Sequence, residues 1–197
     1  MSAGVGRSID QQDLDLLAQG RHPAPYEVLG AQLVAPGDGV AGGGRESGRS
    51  IASPGGTRFS VWAPNARSVS VVGDFNHWDG RVHPMTNRGW SGIWETFVEG
   101  VGAGALYKFE LHDAQGHLLP LKADPMARQA QLRPDNASVV APPVAPLPLP
   151  PGRAAANARH APVSIYEVHL GSWRKRPDGG FLSWDELAQR LPEYVAS

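Results

Sequence analysis

Cysteine is absent from the 197 residues, which excludes disulfides and thiolate metal sites and fits a reducing compartment. Charge of one sign is also missing, since 18 Lys and Arg stand against 19 Asp and Glu for a formal net charge of -1. No electrostatic footprint therefore points to nucleic acid or to an anionic membrane. Proline-free apolar runs long enough to cross a bilayer do not occur. The start, MSAGVGRSID, has no apolar stretch behind a basic one, as an export signal would. The expectation is a soluble cytoplasmic chain, a monomer, with a neutral partner.

Chemical motifs are scarce as well. The seven histidines are scattered with no H-x-x-x-H pair, so no zinc site is expected. The nucleophile elbow G-x-S-x-G does not occur, and the glycine-rich GGGRES lacks the lysine of a phosphate loop. The carboxylates, Asp74, Asp79, Glu95, Glu110 and Asp124 among them, sit in no diagnostic motif and beside turn formers such as Gly and Asn. No catalytic residue, metal ligand or cofactor is assigned.

What is present in quantity is glycine (24), proline (18) and aromatics (six Trp, four Tyr, five Phe), a composition of turns and strands with enough apolar surface for a core. Residues 1–56 form a lead-in. Within it IDQQDLDLLAQG carries Ile9, Leu14, Leu16 and Leu17 at helical spacing, and 36–56, with eight Gly and two Pro, reads as a flexible loop. From Thr57 the period becomes two. TRFSVWA, SVSVV, GIWETFVE and ALYKFELHD alternate, with turn residues between them, so 57–141 is expected to be an antiparallel β-sandwich of immunoglobulin-like type. Residues 142–162 hold seven prolines and should be a stiff, extended linker. After it, VSIYEVHL suggests a strand, and SWDELAQRLPEYV a helix with Ser183 as N-cap and Glu186 closing a capping box. A strand followed by a capped helix is the opening of an α/β domain.

Aromatic rings are the candidate chemistry, because a flat ring covers the apolar face of a sugar while polar neighbours bond its hydroxyls. Trp78, in the polar turn FNHWDG, is either partly exposed or folded back as a cap on the sandwich. Trp62 and Trp94 lie on strands and are expected to pack in the core or between domains, while Lys108 alternates with Tyr107 and Phe109 and faces away from them.

The ordered string TRFSVWAPNARSVSVVGDFNHWDGRVHPM, SGIWE, LYKFEL, LKADP and SIYEVHLGSWR, with PYEVLGAQ ahead of it, resembles bacterial 1,4-α-glucan (glycogen) branching enzyme over about residues 10–34 and 57–197. The resemblance implies a glycogen-binding-type module (carbohydrate-binding family 48) over 57–141. It also implies that 163–197 is the first strand and loop of an α-amylase-type (β/α)₈ barrel, a domain that needs about 250 residues. The implied reaction is retaining transglycosylation of an α-1,4-glucan to form α-1,6 branches, with α-glucan chains as partner. The family's aspartate nucleophile and glutamate acid/base lie on later barrel strands, so these 197 residues alone are expected to be inactive.

Three departures stand out: Gln32 where the family usually has histidine, a longer glycine-rich stretch over 36–56, and no additional sandwich ahead of the lead-in. Similarity to glycogen-binding domains of kinase regulatory subunits implies Trp78 as a sugar-stacking ring, with Lys108 and Asn136 bonding hydroxyls. The second stacking tryptophan of those domains, expected near Gln115 to Leu118, is missing, which implies weak affinity or a mainly structural module. A free-standing glucan-binding module and a debranching or trehalose-releasing relative are the competing expectations.

Overall fold

The computed structural model describes residues 8–37, 55–142, 144 and 147–197. The chain divides into two compact units, Met1–Ala145 and Pro146–Ser197. The expected flexible loop falls largely on 38–54, outside the described residues.

The first unit opens with α1 (Gln11–Ala18), which starts where Asp10 caps it: the Asp10 carboxylate accepts the Asp13 N–H at 2.9 Å and the Asp13 carboxylate accepts the Asp10 N–H at 3.0 Å. Leu14 is buried on the inner face and packs with Ile9, Val28, Leu29 and Ile93, with Leu17 at the edge. The unit is mainly β. One antiparallel sheet has the order β1 (Gly30–Val34), β2 (Gly56–Trp62), β5 (Ile93–Glu99), β4 (Thr86–Asn87), and the other β3 (Ser68–Gly73), β6 (Leu106–His112), β8 (Ser138–Val139), β7 (Gln129–Ala130).

The long strands are those whose alternation is visible in the sequence. Phe59 and Val61 of β2, Val69 and Val71 of β3, Trp94 and Val98 of β5, and Tyr107 and Phe109 of β6 form one core cluster. Phe59 meets Phe75 and Tyr107 at ring separations of 5.8 and 4.9 Å. Strand β2 is buried on both faces, because α1 and the segment before β1 cover the side away from this core. There the Ser60 hydroxyl donates to the Val28 carbonyl at 2.7 Å.

The lead-in thus contributes to the sheet itself: Ala31 stands opposite Phe59 and Gln32 opposite Arg58, so the boundary drawn at 56/57 falls at a strand shared with the lead-in. Gln32 is buried and spans three partners. Its amide donates to the Tyr26 and Leu29 carbonyls at 2.9 and 2.7 Å, and its oxygen accepts from Arg128 at 2.8 Å. The expectations for the tryptophans divide. Trp94 is buried with its indole N–H donating to the Ala63 carbonyl at 3.0 Å, whereas Trp62 is 62% exposed.

In the second unit the expected stiff extended linker contains a helical turn, α2 (Arg153–Ala156). The reason is local, since RAAANA is rich in the best helix former and no proline interrupts it. The strand expected over VSIYEVHL is not formed among the described residues: 163–169 have no ladder, Ile165 is exposed, and α3 (Leu170–Trp173) follows directly. A parallel-type strand needs neighbours to satisfy its N–H and C=O groups and cover its apolar faces, and the described residues offer none. The helix expected after it, α4 (Trp184–Ala196), forms as its sequence requires, with the Ser183 hydroxyl accepting the Glu186 N–H at 3.2 Å and the Glu186 carboxylate accepting the Ser183 N–H at 2.7 Å. Arg176 grips the same carboxylate with two nitrogens, at 2.6 to 3.1 Å, and holds Glu186 at about 2.

Candidate functional site

Strand β3 ends in the sequence GDFN, where the chain turns through a short 3-10 turn (Asp74–Asn76) and then takes two consecutive left-handed residues, His77 (φ 53°) and Trp78 (φ 61°). Neither residue is glycine, so the turn is strained at both positions and must be held by its surroundings. Buried Asn76 does so from within: its oxygen accepts the Gly73 N–H at 2.8 Å and its amide nitrogen donates to the Val71 carbonyl at 3.0 Å. The Gly73 carbonyl in turn accepts the Trp78 N–H at 2.9 Å. The Trp78 side chain emerges 37% exposed.

Lys108 arrives from β6. Its neighbours Tyr107 and Phe109 point into the core, so the period of two sends Lys108 to the outer face of the second sheet. Asn136 arrives from a third element, the hairpin loop between β7 and β8, and accepts a hydrogen bond from the Lys108 ammonium at 2.5 Å. Trp78, Lys108 and Asn136 line one open depression of about 410 Å³, together with Leu121, Gln131 and Asp135.

The last three were not foreseen as part of the site: Gln131 and Asp135 stand in no period or motif, and Leu121, although inside LKADP, has no polar group to mark it. Gln131 and Asp135 come to Trp78 through the pairing of β8 with β6 on one side and with β7 on the other. Gln131 is fixed by accepting the Ala137 N–H at 3.1 Å, while Leu132, beside it, is 90% exposed. The region around Gln115 to Leu118, where a second ring was sought, is instead a tight turn in which the Asp113 carboxylate accepts the Gln115 and His117 N–H groups at 2.9 and 2.8 Å. Those bonds lower its pKa.

The depression offers a part-exposed indole face, an ammonium, a carboxamide and a carboxylate, which is an inventory for a neutral polyhydroxylated ligand with one apolar face. Asp79, next to Trp78, is tied to Arg81 at 2.6 Å and kept at about 2, so it is ionised and paired at neutral pH. Among the described residues no group of three His, Asp or Glu could hold a metal ion, and no helix is long and apolar enough to cross a membrane.

Residues 46–127 match the family model of carbohydrate-binding module 48, the isoamylase N-terminal domain. That match places a likeness to a carbohydrate-binding module within the first unit. The match takes in Trp78 and Lys108 and stops short of Asn136, and it covers under half of the chain.

Solved structures similar to the chain include PulA from Klebsiella oxytoca, 28% identical over 44% of this chain with a TM-score of 0.37. A putative alpha amylase from Salmonella typhimurium is 27% identical over 43% of the chain, with a TM-score of 0.33. Klebsiella pneumoniae pullulanase complexed with maltotriose is 20% identical over 68% of the chain, with a TM-score of 0.35. The chain spans 9%, 12% and 16% of the length of these three.

Proposed function

We propose that the depression formed by Trp78, Lys108 and Asn136 binds α-glucan chains, and that the module serves a branching enzyme acting on glycogen-type polymers in the cytoplasm as a monomer. The observation that carries the reading is the meeting of three residues, the outer two 58 positions apart in the chain, around one opening with a part-exposed indole at its edge. The Trp78 ring would stack on a glucose face, while the Lys108 ammonium and the Asn136 carboxamide, already joined, would share their remaining hydrogen-bonding capacity with hydroxyls. The motifs from SIYEVHLGSWR onward support reading 163–197 as the opening of an α-amylase-type barrel, and the whole enzyme would form α-1,6 branches by retaining transglycosylation.

Calorimetric titration of the full chain with maltoheptaose tests the site. Trp78→Ala is expected to weaken binding about tenfold, in line with the loss of one stacked ring and its buried area. Equal affinity of parent and variant would remove Trp78 from the site. The matched family's own description as an isoamylase N-terminal domain favours a second reading, a module of a debranching enzyme that binds the same polymer.

A further inference from the structure

His83 does not line the depression, yet it closes the turn that presents Trp78. Its Nδ1 lies 2.9 Å from Nδ2 of Asn76, and its carbonyl accepts the Val71 N–H at 3.1 Å. The other two bonds of Asn76 fix which end of its amide is which: a backbone N–H can only donate and a carbonyl can only accept, so oxygen faces Gly73 and nitrogen faces Val71. Nitrogen therefore also faces His83, and Nδ1 must offer a lone pair, with the ring proton on Nε2. Gly73 sits close against β6: a Cβ there would collide with the Leu106 carbonyl oxygen and the Phe75 ring. A continuous series of hydrogen bonds thus joins His83 to Asn76, Asn76 to Gly73, and Gly73 to the strained Trp78.

We propose that Asn76 and His83 are positioning residues of the glucan depression, holding the Trp78 turn in place only while His83 is neutral, so that acidification loosens the turn and weakens glucan binding. The inference rests on the reading of Trp78 made above. A proton on Nδ1 would set donor against donor, and Asn76 cannot rotate its amide to answer without losing both of its backbone bonds. The groups facing His83 are Asn76 and the Phe75 ring, at 5.7 Å, from the turn, and the Val71 backbone from β3. The titratable groups of the same loop and the strand beneath it are His77, exposed, Asp79 in its pair with Arg81, Asp74, whose carboxylate accepts the Leu106 N–H, and Glu110, whose carboxylate meets Gly80. Burial pushes the His83 imidazole below its ordinary 6.5, so the neutral form prevails at pH 7 and is lost as pH falls through the shifted value.

The test uses the full chain in two measurements at about pH 7.5 and about pH 5, which bracket a histidine's range. Hydrogen exchange of the Gly73 and Trp78 amides is followed by NMR and expressed as protection factors, and maltoheptaose is titrated calorimetrically. Protection of both amides and maltoheptaose affinity are each expected to fall about tenfold on acidification, the scale of one lost hydrogen bond. His83→Asn, whose oxygen can stand where Nδ1 stood and gains no proton, is expected to hold both values level. His77→Asn, which leaves His83 in place, is expected to fall as the parent does.

Protection that does not change with pH in the parent, or that falls equally in His83→Asn, would overturn the proposal. Falling protection with constant maltoheptaose affinity would overturn the coupling to binding. Falling protection with no maltoheptaose binding at either pH would instead sink the glucan reading and leave the dependence of the turn on His83 standing.

Discussion

Trp62, Trp78 and Trp94 share one side chain and meet three environments, and the difference lies in where each indole N–H and ring can go. Trp94 is buried because the Ala63 carbonyl waits for its N–H, while Trp62, at the end of β2, is left exposed. Composition cannot make that distinction, since the carbonyl belongs to a residue 31 positions away. Lys108 was legible for the opposite reason: one period of alternation beside Tyr107 and Phe109 is enough to turn it outward. Tyr107 illustrates what a single buried polar atom does. Its hydroxyl donates to the Asp124 carboxylate at 2.5 Å, and burial pushes the Asp124 carboxyl up and the Tyr107 phenol up. Because the folded Asp124 keeps its proton to higher pH than an unfolded aspartate, its contribution to stability is full below about pH 3.9 and is lost as pH rises through the folded value. Tyr107→Phe removes the donor that eases this ionisation. It is expected to cost about 1–3 kcal/mol at neutral pH and less near pH 4, as read from urea unfolding midpoints.

At the scale of elements, strands of six or seven residues were visible in the sequence and strands of two were not. Thr86–Asn87, Gln129–Ala130 and Ser138–Val139 are too short to show a period; the first and third exist because β5 and β6 offer them an edge, and the second pairs in turn with β8. Gly30–Val34 escaped for a different reason, since its buried Ala31 and Gln32 are adjacent and face opposite sides, both of them covered. The two N-caps were legible at Ser183 and missed at Asp10, where the capping partner is an aspartate instead of the usual Glu or Gln. Asp10→Ala is expected to destabilise the first unit by about 1 kcal/mol, measured by urea unfolding followed through tryptophan emission. In α4, Pro192 lies inside the helix and denies the Ala188 carbonyl an amide partner. Pro192→Ala is expected to favour that helix by up to about 3 kcal/mol and to raise the far-UV helical signal of the full chain.

At the scale of the whole molecule, the core clusters of the first unit draw, among the described residues, on none beyond Ala141. Its hydrophobic cluster runs from Ala31 to Val140, and its polar interior is closed by Gln32, Arg128 and Asp124. Residues 1–145 expressed alone are therefore expected to unfold in one cooperative thermal transition with the β-rich spectrum retained, and a chain that gave no such transition would contradict the division. The second unit shows the contrary pattern, with Val163, Ile165, Phe181 and Trp184 all exposed on a short stretch. A composition suited to a strand did not produce one there, because pairing is a property of neighbours and not of the run itself.

The two left-handed residues at His77 and Trp78 bear on how quickly the ring can be used. Their backbone angles are set during folding, so the indole does not have to search for its orientation when a ligand arrives. Conformational freedom at that point has already been surrendered, and an encounter needs only the right approach. Glycine at His77 would relieve the strain there and leave the neighbouring ring free to wander.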